Sequence, residues 1–115
     1  MSTYSCVERE ISMNIQELTV AMHEFVTTKG WYQQGSARPQ TPRNIAISLN
    51  LEAAEILEHF QWGDSPRNLE DLPGELADVA LYLFQLAHLL NINLEQAILH
   101  TLDVNYGRQW DSEVK

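Results

Sequence analysis

An all-α chain, arranged as a four-helix bundle and completed by association with further copies of itself, is the fold the sequence predicts. Three observations carry that expectation. Apolar residues recur at helical spacing in four separate stretches. No segment is a Val- and Ile-rich run alternating with period two, as a half-buried strand requires. The stretch 76–90 is more apolar than one buried helix stripe needs, so a lone unit of this length would leave part of that surface wet.

Taken in order, residues 1–12 show no sustained period and read as a flexible N-terminal tail. A single domain follows over 13–110, and 111–115 form a C-terminal tail. From Asn14 to residue 29, Ile15, Leu18, Met22, Phe25 and Val26 fall at helical spacing, and Gly30 is a natural stop. Residues 30–40 mix Gly, Pro, Ser and Gln without a period and read as a loop around an unusual Trp31. The second helix opens on Thr41 as N-cap with Pro42 at the first helical position and runs to Trp62, before Gly63. A connection over 63–70 leads to a third helix over about 71–90, in which Pro73 and Gly74 fit the first turn, where amide donors have no internal partner. Asn93 and Gln96 mark the start of a fourth helix, which carries Leu94, Ile98, Leu102 and Asn105 on one stripe.

The 115 residues suffice for one domain with a modest core. Seven basic against sixteen acidic side chains give a net charge of −9, which disfavours polymeric nucleic acid and anionic membranes as partners. A small metal-chelated anion remains compatible, because a bound cation reverses the local field. The single cysteine, Cys6, cannot form an internal disulfide, the N-terminus lacks the pattern of a signal peptide, and no segment nears ~20 consecutive apolar residues. A cytoplasmic protein is the expectation.

The chemistry concentrates between Ser48 and Asp78. Glu52 and Glu55 lie three apart on the second helix, and Glu75 and Asp78 lie three apart on the third. At 100° per residue, Ile45, Leu49 and Ile56 all fall within about 60° of Glu52, so that Glu lies along the apolar stripe. Glu75 likewise falls beside Val79, Tyr82 and Leu86, and both acidic pairs are expected to point inward. Two unit charges about 6 Å apart repel by roughly 3 kcal/mol at an effective dielectric of 20, so a cation is the simplest reason to gather them. An all-oxygen donor set with no His or Cys at ligand spacing favours Mg²⁺, with Mn²⁺ as a substitute, over Zn²⁺. Glu58 falls about 120° away from Glu52 and reads as solvated or as a support to the ligands. The histidines at 23, 59, 88 and 100 form no spaced pairs and read as surface or packing residues. The absence of Glu-x-x-His on two helices also argues against a di-iron bundle.

The text SLNLEAAEILEHFQW (48–62), ELADVALYLFQLAHLLNINLEQAI (75–98) and DVNYGR (103–108) resembles the all-α nucleoside triphosphate pyrophosphohydrolases, the MazG-like proteins and especially their dCTP pyrophosphatase branch. The resemblance runs from about Asn14 to Trp110. It implies hydrolysis of a nucleoside triphosphate to the monophosphate and pyrophosphate, with dCTP or a modified dCTP as substrate, in a homodimer or homotetramer that cleans the nucleotide pool. By the same resemblance Glu52, Glu55, Glu75 and Asp78 are the metal ligands, and Glu52 or Glu55 also acts catalytically by orienting or deprotonating the attacking water. Trp31 and Trp62 would sandwich the base, Tyr82 and Arg108 would contact phosphate, Asn105 would contact the nucleotide, and Asn44 is a further substrate-binding candidate. Thr101 stands where the family often has a lysine, and Lys29 or Arg38 is a possible source of the missing charge. Two other readings stay open at this level: the same reaction with broad or purine specificity, and a non-catalytic helical interaction module stabilised by metal.

Overall fold

The structure is a computed structural model that describes residues 11–108. Four helices and no strand occur among them: α1 (Ile15–Thr28), α2 (Pro42–Glu58), α3 (Leu72–Leu89) and α4 (Leu94–Tyr106). The all-α expectation therefore holds. Trp110, Cys6, the C-terminal tail and nearly all of the N-terminal tail lie outside the described residues.

Three of the four helix starts are fixed by a side chain, while Asp71 before α3 makes no side-chain cap bond and Pro73 sits in the first turn instead. Asn14 accepts from the Glu17 amide at 2.8 Å while Glu17 accepts from the Asn14 amide at 3.1 Å, a reciprocal capping box. Thr41 accepts from the Asn44 amide with Pro42 behind it, and Asn93 accepts from the Gln96 amide. The ends of α1 and α3 share one device. Gly30 enters the left-handed region (φ 75°), its amide donates to the Thr27 carbonyl, and the Trp31 amide donates to Val26. Asn91 (φ 56°) does the same after α3, with the Asn91 amide on His88 and the Ile92 amide on Ala87. The second helix stops four residues short of the expected Trp62. The amides of His59, Phe60 and Gln61 each donate three residues back, so the chain tightens into turns from His59 onward.

Packing centres on α3, which lies against α2 and α1, while α4 packs against α1. Among the described residues the buried apolar side chains are few: Met22, Val26, Ile45 and Ala87. No residue of α4 is buried, and Leu51 (63%), Leu57 (71%), Leu76, Leu99 and Leu102 are exposed. The radius of gyration is 17.2 Å, where a compact domain of this size would have about 13 Å. The helices therefore leave much apolar surface uncovered within the chain. No helix among the described residues is long and apolar enough to cross a membrane.

Candidate active site

The α2–α3 seam brings the four predicted acids into mutual electrostatic range. Glu52 is half-buried, and its Oε2 is shut off from solvent with no hydrogen-bond partner among the described residues. Burial pushes the Glu52 carboxyl above its ordinary range, the adjacent Glu55 carboxylate pushes it further, and Asp78 and Glu75 act in the same direction. An orphaned carboxylate oxygen among three more carboxylates is a costly arrangement without a counter-charge.

The inward orientation expected for all four acids holds only in part. Glu52 and Glu75 are half-buried in the seam, while Glu55 and Asp78 are exposed at its edge. Nor do they form a ready-made cage, since among the described residues no three His, Cys, Asp or Glu side chains are gathered closely enough to hold an ion. Glu75 is also held from the other side. Its Oε2 lies 2.6 Å from Nε2 of His59, a residue 3% exposed. The chemistry of the donor set nevertheless fits a hard divalent ion: four carboxylates, one with a buried unsatisfied oxygen.

Tyr82 stands one turn beyond Asp78 on α3, in the same field. Burial raises its phenol pKa, Glu52 and Asp78 raise it further, and the Arg38 guanidinium opposes them. The hydroxyl therefore keeps its proton and can donate. Arg38 reaches this neighbourhood from the 30–40 loop, its Cζ 5.5 Å over the Trp31 ring. Phe25 meets the same Trp31 in a T-shaped contact (centroids 5.7 Å apart, 88°), so Trp31 is anchored on α1 as well as placed beside the loop cation.

A relay of amides fastens that loop to α3. Gln40 Nε2 donates to the Arg38 carbonyl at 2.7 Å, which leaves Gln40 Oε1 to accept from Gln85 Nε2 at 2.7 Å. Gln85, 1% exposed, also donates to the Tyr32 hydroxyl at 3.3 Å. Asn44 belongs to the same fastening: its Nδ2 donates to the Pro39 carbonyl at 2.9 Å, which is a loop-holding role.

The remaining predicted residues are not gathered here. Trp31 and Trp62 form no sandwich in this chain, because Trp31 is engaged by Phe25 and Arg38 while Trp62 is 89% exposed. Trp62 lines a shallow pocket of about 360 Å³ with Glu58, His59 and Arg67 at the tightened end of α2. Asn105 and Arg108 sit exposed at the end of α4, which packs on α1 rather than on the acid-bearing pair. Sequence reasoning missed His59, Gln85 and the Gln40 relay. His59 had a usable signal, since it follows Glu55 by four residues and so shares the acid stripe.

Paired acids on two packed helices with exposed apolar side chains define a carboxylate-lined all-α bundle, and the chain belongs to the MazG-like family, whose model matches residues 47–113. Among individual proteins it is similar to human dCTP pyrophosphatase 1, 35% identical over 94 residues that cover 74% of this chain and 52% of that one. The dCTP pyrophosphatase 1 of Bos taurus is 34% identical, with 74% and 53% covered. This chain thus spans about half the length of those relatives. The fold is also similar to the crystal structure of a pyrophosphatase from Archaeoglobus fulgidus DSM 4304 (TM-score 0.66, 31% identity, 84% of this chain and 94% of that one).

Proposed function

We propose that this protein is a divalent-metal-dependent nucleoside triphosphate pyrophosphohydrolase, acting on dCTP or a modified dCTP in the cytoplasmic nucleotide pool. The observation that carries the reading is the buried, unpartnered Oε2 of Glu52 among three further carboxylates. Relatives named dCTP pyrophosphatase support the choice of substrate.

Glu52, Glu55, Glu75 and Asp78 are the residues that would hold Mg²⁺ or Mn²⁺. Bound there, the ion would neutralise phosphate charge and lower the pKa of a water. In the reaction, a water oxygen bonds to the α-phosphorus while the bond from that phosphorus to the α–β bridging oxygen breaks, so pyrophosphate leaves. Glu55, at the exposed edge beside Glu52, takes the proton from the water, a transfer suited to a carboxyl within hydrogen-bond reach of the nucleophile. The protonated Tyr82 hydroxyl donates to a phosphate oxygen. Arg38 supplies the cation that Thr101 does not, and Trp31 offers a ring face to the base.

The exposed apolar faces of α2, α3 and α4 support a homodimer or homotetramer, with Asn105 and Arg108 contacting the nucleotide in the assembled protein. Pyrophosphate release from a panel of dNTPs, with Mg²⁺ and with chelator, tests the reading. Metal-dependent turnover with dCTP preferred is expected. Equal rates across bases would leave the reaction and remove the specificity. No turnover of any nucleotide, with metal still raising the melting temperature, would assign the acids to a non-catalytic module.

A further inference from the structure

The buried imidazole of His59 stands apart from the other histidines because both its nitrogens are engaged, and by groups of different kinds. Its Nδ1 receives the Asn68 amide at 3.3 Å, and a backbone N–H can only donate. Nδ1 therefore carries a lone pair, and the ring proton sits on Nε2, 2.6 Å from Glu75 Oε2. His59 is thus a neutral donor to one oxygen of Glu75, in a tautomer selected by the α2–α3 loop. The same loop is tied to His59 a second time through the Arg67 amide, which donates to the His59 carbonyl at 2.9 Å.

We propose that His59 is a positioning residue for metal binding: it holds Glu75 Oε2 so that Oε1 is presented to the ion in the α2–α3 seam. Three facts lead there. Glu75 is half-buried, so its rotamer is restricted on one side by the seam and on the other by the bond to His59. The His59 side chain is 1% exposed against 22% for Glu75, so the donor end of that bond is closed to water. A carboxylate with one oxygen pinned by a neutral donor keeps its full negative charge on a fixed axis, which is how a hydrogen-bonded neighbour orients a ligating group and raises its affinity for metal. The proposal rests on the reading that the four acids bind a divalent ion.

Two substitutions separate this role from a loop-fastening one. In His59→Gln the amide nitrogen takes the place of Nε2 and can donate to Glu75, but nothing accepts from Asn68. In His59→Asn the side-chain oxygen takes the place of Nδ1 and accepts from Asn68, but nothing reaches Glu75. Calorimetric titration with Mn²⁺, without nucleotide, is expected to give H59Q a Kd within about threefold of the wild type and H59N one weaker by about 10- to 100-fold. Melting of the metal-free proteins is the companion readout, with H59N expected to melt no lower than H59Q. Equal Mn²⁺ affinity in H59N and wild type, or loss in H59Q matching that in H59N, overturns the positioning role while leaving the metal site intact. A wild-type protein that binds no Mn²⁺ overturns the metal site and this inference together.

Discussion

Replacing Glu52 by Gln should stabilise the metal-free protein and destroy its response to metal. The carboxylates of Glu55, Asp78 and Glu75 all act on Glu52, and its Oε2 is buried without a partner. One close pair about 6 Å apart is worth roughly 3 kcal/mol of repulsion at an effective dielectric of 20. An upper bound comes from protonation. At about pH 7.5, neutralising a carboxyl of ordinary pKa 4.5 costs about 4 kcal/mol, so the repulsion cannot exceed that before the group takes up a proton. Because Glu55 and Asp78 are solvent-exposed, screening reduces the effect to about 1–2 kcal/mol. For a domain of this size that is a rise of about 5 °C in melting temperature. Wild type at a hundredfold excess of metal over its Kd gains about 2.7 kcal/mol and should overtake the variant. Thermal melts of both proteins in EDTA and in Mn²⁺ provide the four numbers needed. A Glu52→Gln protein that melts at or below wild type in EDTA would refute the claim that the acids repel one another in the native state.

Further expectations come from the same site. The Glu52 carboxyl is raised in the folded protein, so the native state binds that proton more tightly than the unfolded chain does; its contribution is complete below about pH 4.5 and is lost as pH rises through the raised folded value. The melting-temperature gap between Glu52→Gln and wild type, both metal-free, should therefore widen with pH above 4.5, and a gap that stays constant or narrows would contradict the assigned cause. Arg38→Ala should raise KM for dCTP about tenfold with kcat within about threefold, as loss of a contact made equally in ground and transition states requires, and steady-state kinetics reads both. Glu at both Leu99 and Leu102, which are exposed on α4, should give a smaller particle by light scattering and lower turnover; an unchanged mass would remove α4 from the interface.

The four helices were legible because Asn14, Thr41 and Asn93 sit where the apolar period begins, and Gly30 sits where the first one stops. The acid pairs were legible because helical periodicity places residues three apart on one side. What periodicity does not carry is a partner from another element. The bond from His59 to Glu75 spans sixteen residues and a loop, and that from Gln85 to Gln40 spans forty-five. Arg38 lies in a stretch with no period at all, so only the fold could bring it to Trp31 and Tyr82. The twin-tryptophan sandwich was read from resemblance, and in this chain Trp62, beyond the turn that follows His59, is 89% exposed.

The amide chain from Arg38 through Gln40 to Gln85 has one more implication. A flexible cover would lose order each time a nucleotide left, but here the segment bearing Arg38 and Trp31 is riveted to the rod that bears Glu75 and Asp78. On the proposed function, recognition and hydrolysis would thus share one frame while being written in separate stretches of sequence. On that reading, substitutions among residues 31–38 would retune which nucleotide is admitted without touching an acid, provided Gln40 and Gln85 stay.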